Sequence, residues 1–160
     1  MIRRFCGALI LAALFIPVAS AQVVRFDTTV GDFDVVLNPT HNSLLQGNVD
    51  NFLHYVESDS YRASWINRAA KDNGTNFVLQ MGGFYSNTLR PSPTIASTRS
   101  VFSAPPVTGS PGISGLSNTI GTVAFALSGD GQGGTNHDSG TSSFFVNLAS
   151  NTFLDPDFTV

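Results

Sequence analysis

The sequence predicts a mainly β domain, a barrel or sandwich of short strands carrying one amphipathic helix. Three observations predict it. Strand-like runs recur over residues 24–37, 64–68, 76–81, 121–127, 144–148 and 158–160. Only one segment, around residues 49–56, has helical spacing. The 160 residues are one domain's worth, with 42% hydrophobic residues to fill a core and only 12% charged.

The first 21 residues are set apart from that domain. Arg3 and Arg4 precede an almost unbroken apolar run over 5–18, and Ala19, Ser20 and Ala21 form a small-residue exit. This is the three-part pattern of a secretory signal peptide, with cleavage expected after Ala21. The run is shorter than the ~20 residues a spanning helix needs, so no stable membrane anchor is expected after cleavage. Cys6 stands at the start of the run instead of ending it, unlike a lipoprotein signal. Its removal leaves no cysteine in residues 22–160, so the mature domain forms no disulfide and stands on its core alone. Loss of Arg3 and Arg4 takes the formal charge from −3 to −5. A periplasmic or secreted, monomeric protein is expected.

Within the domain, Val24 and Phe26 alternate with Arg25 and Asp27, and Phe33, Val35 and Leu37 follow a turn at Gly31. That reads as a β-hairpin ended by Asn38 and Pro39. Val49, Phe52, Leu53 and Val56 fall at i, i+3, i+4 and i+7, an amphipathic helix with Asn48 as its N-cap. In the strand over 64–68, alternation places Ile66 and Arg68 on one face, opposite Trp65 and Asn67. Residues 89–118 form a long Pro/Ser/Gly/Thr stretch holding five of the eight prolines. A connection of that length inside a compact domain is often functional. The chain stops at Phe158, Thr159 and Val160 inside a strand pattern, which reads as an incomplete sequence.

Several chemistries lack their residues. There is no G-x-S-x-G elbow. His41, His54 and His137 are far apart with no metal-ligand spacing, so no metal is expected. The glycine-rich 129–134 segment lacks the alternating ligands of a calcium loop and reads as a flexible connection. Lys71 is the only lysine, leaving little room for Schiff-base chemistry. No basic patch points to nucleic acid. Asn73, Gly74 and Thr75 match a glycosylation sequon, a weak signal.

Three segments in order carry a resemblance. NFLHYV (51–56) followed by YRASWINR (61–68) is similar to the "NF..YV" and "Y.G..FHR" of cyclophilins. FVLQMGG (77–83) is similar to "F.IQGG". GTVAFA (121–126), SSFFVN (142–147), LD (154–155) and FTV (158–160) are similar to "GTVAMA…SQFFI…LD…FTVFG". The match covers nearly all of residues 22–160. The resemblance implies a closed antiparallel eight-stranded β-barrel with capping helices, whose last helix and strand are missing here. It also implies a peptidyl-prolyl cis-trans isomerase that acts on proline-containing segments of unfolded or exported proteins and needs no cofactor.

By resemblance, Arg68 is the catalytic arginine and Gln80 binds a substrate carbonyl beside it. Phe77, Val78, Phe145, Phe153, Leu154 and Phe158 would form the apolar proline pocket. Ala126 and Leu127 would line the peptide groove. Phe144 and Phe145 are adjacent and must face opposite sides, one core and one pocket; the alignment makes Phe145 the pocket residue. There are departures. "FHR" is here Ile66, Asn67 and Arg68; about four extra residues lie within 71–76; Ser143 replaces a glutamine; and Phe153 stands where many members carry tryptophan. These leave a second expectation open: a non-catalytic proline-peptide-binding or scaffold domain on the same fold.

Overall fold

The computed structural model describes residues 21–62, 64–87, 90–94, 115–137 and 139–160, with the backbone alone over 85–87 and 90–94. The expected signal peptide, residues 1–21, lies outside the described residues except for Ala21, and so do residues 95–114 of the long proline-rich stretch.

The chain opens with the expected hairpin. Strands β1 (Gln22–Phe26) and β2 (Phe33–Leu37) pair antiparallel with Arg25 opposite Asp34. Those two side chains form a forked ion pair on the exposed face, 2.8 and 2.9 Å. Gly31 takes a φ of 128° in the connection, a conformation that side chains other than glycine's rarely adopt. Val24, Phe26, Phe33, Val35 and Leu37 turn inward, as alternation requires.

Helix α1 spans Gln46–Glu57 and presents Val49, Phe52 and Tyr55 to the core. Its start differs from expectation. A single 3-10 turn, Ser43–Leu45, leads into it, and Asn42 caps that turn by accepting from the Leu44 N–H. Asn48 lies inside the helix instead. The short polar side chain best placed to satisfy the free N–H groups is therefore six residues earlier.

The main sheet has the order β3-β4-β7-β6, from β3 (Ser64–Asp72), β4 (Thr75–Asn87), β6 (Val123–Phe125) and β7 (Phe144–Asn147). A further strand, β5 (Arg90–Thr94), pairs with the far end of β4 inside the stretch expected to be irregular. All pairings are antiparallel. Among the described residues the two sheets do not close into one ring. Residues 158–160 form no strand, because no partner strand among the described residues runs beside them to supply ladder hydrogen bonds.

One face of the main sheet carries Leu79, Met81, Val123, Phe125, Phe144 and Val146. It packs against α1 and the β1–β2 hairpin through an aromatic cluster. Phe144 sits 5.3 Å from Phe52, 5.6 Å from Phe26 and 5.7 Å from Tyr61, measured between ring centroids. Offset and edge-on rings at such separations add to the stabilisation from area burial alone. Burial, with a smaller contribution from Tyr55, pushes the Tyr61 hydroxyl well above its ordinary range. It stays a neutral donor, 2.9 Å from the Ser142 carbonyl.

Candidate active site

The opposite face of the main sheet carries the candidate site. Its geometry begins with a departure from strand alternation. Ile66 lies opposite Met81 and Arg68 opposite Gln80, so two steps along β3 match one step along β4. Asn67 is the extra residue of a β-bulge. Ile66 therefore shares the face of Met81, while Arg68 shares that of Gln80. The expectation that Ile66 and Arg68 lie on one face is thus corrected, for a physical reason: the bulge inserts one residue and re-aims the arginine.

A single cross-strand row follows from the register. Arg68 pairs with Gln80, Gln80 with Phe145, and Phe145 with Ala124. Residues directly opposite each other in a sheet point to the same face. Four strands thus place a guanidinium, an amide and an aromatic ring side by side. Val78, Ala124 and Phe145 form a buried apolar cluster, with Ala70, Phe77, Ala126, Leu154 and Phe158 packed against it. The Phe158 ring stands edge-on to Phe145 at 5.5 Å, and Phe145 is 5% exposed.

Polar contacts define the other end of the row. Arg68 Nη1 donates to Gln80 Oε1 at 3.4 Å, and Gln80 Nε2 donates to Ser143 Oγ at 3.1 Å. Among the described residues Arg68 forms no ion pair. Arg25 and Arg62, by contrast, are engaged with Asp34 and Asp59. With the extra residues in place, Arg68 still pairs with Gln80. Those residues lengthen β3 and β4 into a hairpin whose tip is Asn73 and Gly74, at φ 48° and 83°. Two residues of positive φ suit a tight type I′ hairpin turn, for which Asn-Gly is the favoured pair.

Three expected residues stand at the rim. Phe153 stacks on Phe77 at 5.8 Å but is 63% exposed. Leu154 packs on the apolar cluster from the 3-10 turn Thr152–Leu154. Leu127 lies beside Gly140, outside that cluster.

Residues not singled out from the sequence hold this rim in place. Asn118 donates from its backbone and side chain to Asp155 Oδ1 at 2.7 and 3.0 Å, and from its side chain to the Phe158 carbonyl at 2.7 Å. Asn147 donates to Asn118 Oδ1 at 3.0 Å, and Asn151 to Asn147 Oδ1 at 2.8 Å and the Phe77 carbonyl at 3.0 Å. Asn118 and Asn147 are completely buried. Their one sequence signal is that asparagines recur in otherwise apolar surroundings, which tells nothing about their partners. For Asp155, desolvation acts upward, yet the hydrogen bonds from Asn118 and Ser117 outweigh it and hold the carboxyl below its ordinary range.

Among the described residues, no three His, Cys, Asp or Glu side chains gather to hold a metal ion, and no helix is long and apolar enough to cross a membrane. A cavity of about 300 Å³ opens on the α1 side of the sheet, among Val35, Leu37, Val49, Phe52 and Val123. It shares only Ala124 with the Arg68 row, and Asp34 is its one ionisable side chain. The row, not the cavity, is where a cation meets an apolar cluster.

The sequence profile described as "Cyclophilin type peptidyl-prolyl cis-trans isomerase/CLD" matches residues 23–160. The chain belongs to the cyclophilin-type peptidyl-prolyl cis-trans isomerase family. It is 30% identical over 157 residues to a peptidyl-prolyl cis-trans isomerase of Acinetobacter baylyi, covering 97% of this chain and 70% of the relative. It is also 30% identical over 132 residues to peptidyl-prolyl cis-trans isomerase A of Dickeya dadantii, covering 82% of this chain and 57% of that one. The fold resembles the crystal structure of a Cryptosporidium parvum cyclophilin-type isomerase solved in the presence of the dipeptide Ala-Pro. The TM-score is 0.56 at 19% identity, over 86% of this chain and 75% of that one. A second crystal structure of the same isomerase gives a TM-score of 0.58 at 19% identity, over 87% and 74% of the two chains. Antiparallel sheets with one helix on the inner face are thus the cyclophilin-like part of the fold.

Proposed function

We propose that this cyclophilin accelerates rotation about Xaa-Pro bonds in proline-containing segments of exported proteins, with Arg68 as the catalytic cation. The observation that carries the reading is the cross-strand row of Arg68, Gln80, Phe145 and Ala124 on one face. The barrier to rotation is amide resonance, about 18–20 kcal/mol. In the twisted state the prolyl nitrogen regains a lone pair that the planar amide lacks. A guanidinium N–H aimed at that nitrogen stabilises the twisted form more than the ground state, with no covalent step. Arg68 suits this role, since a guanidinium stays charged and among the described residues no carboxylate pairs with it.

The proline ring would rest on the apolar cluster of Phe77, Val78, Phe145, Leu154 and Phe158. The second N–H of the Gln80 amide would hold a substrate carbonyl on one side of the bond while the other turns. Ala126 and Leu127 would border the peptide on the β6 side, and Phe153 would close the outer rim. Barrel closure and a monomeric state belong to the same reading. Export is supported by the leader-like residues 3–21.

Exchange spectroscopy on a short Ala-Pro peptide tests the activity. The protein is expected to speed cis-trans exchange, and Arg68→Ala to cut the catalysed rate about a hundredfold, the scale of removing one preorganised donor. An unchanged exchange rate with the unmodified protein would sink the enzyme reading. A second reading rests on a specific observation: among the described residues the Arg68 guanidinium is held by one long hydrogen bond, 3.4 Å to Gln80. It is a non-catalytic domain that binds proline segments, for which peptide affinity survives Arg68→Ala and no rate effect appears.

A further inference from the structure

We propose that Ser143 is a positioning residue that sets which way round the Gln80 amide lies, and through it the aim of Arg68. The inference deepens the isomerase reading above and rests on it for its kinetic consequence. Ser143 Oγ donates to the Met81 carbonyl at 3.4 Å and accepts from Gln80 Nε2 at 3.1 Å. The hydroxyl has one hydrogen, and a carbonyl can only accept. With that hydrogen committed to Met81, the serine offers Gln80 only a lone pair. Gln80 must then present its NH2 to Ser143 and its oxygen to Arg68, whose Nη1 lies 3.4 Å away.

The result is a relay of one polarity: guanidinium to amide oxygen, amide N–H to hydroxyl, hydroxyl to main-chain carbonyl. Bonds aligned in this sense polarise one another and strengthen. Without the serine hydroxyl only the 3.4 Å bond from Arg68 opposes rotation of the Gln80 amide, and a flipped amide turns its N–H groups toward a cation. The position is built for a small residue. Gly83 lies against Ser143, and a Cβ on it would stand 3.2 Å from Ser143 Oγ and 3.3 Å from its Cβ.

The test pairs the nitrogen-15 spectrum of the Gln80 side-chain amide with kinetics on the same Ala-Pro peptide, in the full chain and in S143A, S143T, Q80A and S143A/Q80A. The Gln80 amide resonances are expected to shift in S143A and return in S143T, which keeps the hydroxyl. The catalysed rate, kcat/KM, is expected to fall about fivefold in S143A, the effect of one hydrogen bond, and to recover in S143T. In the Q80A background, S143A is expected to add nothing. Gln80 resonances unmoved by S143A, or additive losses in the double variant, would overturn the proposal. A silent unmodified protein with the Gln80 shift intact would instead overturn the isomerase reading alone, because the amide signal does not depend on turnover.

Discussion

At the scale of single residues, Gly82 shows how closely β4 and β7 approach behind the site. It takes a φ of 78°, and a Cβ there would stand 2.6 Å from the Ser142 carbonyl oxygen, 2.9 Å from Tyr61 and 3.0 Å from Phe144. The nearest of these atoms is backbone, so it cannot swing aside. Gly82→Ala combines a strained backbone with overpacking, effects of roughly 1–2 and 1–3 kcal/mol. A loss of about 3 kcal/mol is expected in urea unfolding, read as a lower midpoint. Neighbouring Gly83 faces a side chain at 3.2 Å, a milder approach. Arg68 illustrates the reverse case: its residue type pointed to chemistry, but its direction depends on the bulge at Asn67.

At the scale of elements, the 3-10 turn Thr152–Leu154 is anchored by polar side chains more than by its own length. Three residues cannot hold a helical turn unaided, since the first turn costs more order than its one hydrogen bond returns. Asn118, Asn147 and Asn151 tie that segment to β7 and to the Phe77 carbonyl, and Asp155 completes the network. The Asp155 carboxyl is held below its ordinary value. A depressed carboxylate contributes stability that is fully present above the unfolded value of ~3.9 and is lost as pH falls through the folded value. The stability difference between the unmodified protein and Asp155→Asn is therefore expected to be largest near neutral pH and to shrink below pH ~4. Urea midpoints at pH 7 and pH 3 measure it. A difference that grows on acidification would contradict the assignment.

At the scale of the whole molecule, the main sheet divides its labour by face. Phe144 is 1% exposed and belongs to the aromatic core with α1 and the β1–β2 hairpin. Phe145, one residue on, belongs to the cluster beside Arg68. Phe144→Leu is expected to lower stability by about 1–3 kcal/mol through imperfect filling of the core, with kcat/KM of the folded protein within about threefold of normal. Phe145→Leu is expected to lower kcat/KM about tenfold, because in the proposed mode the proline ring loses its aromatic floor. Denaturation and exchange spectroscopy on the same two samples separate the outcomes. Equal kinetic losses in both would mean that the faces are not functionally distinct.

Strand alternation and helical spacing were enough to read the hairpin, the helix core positions and the opposed directions of Phe144 and Phe145, because these patterns are local and periodic. The order of the motifs was enough for the family. What lay beyond reach were the bulge at Asn67 and the lack of a strand at 158–160, which depend on pairing between strands, and two local turns that periodicity does not report, the Asn73–Gly74 tip and the cap at Asn42. The asparagine network joins residues 77, 118, 147, 151 and 155, and no local pattern announces it. By itself the sequence determined which residues are apolar, which are charged and which segments are periodic, since these are properties of the chain. Only the tertiary structure decided that Arg68 meets Gln80 and Phe145 on one face, since cross-strand register arises where strands pair and a single extra residue reverses the side that every later side chain faces.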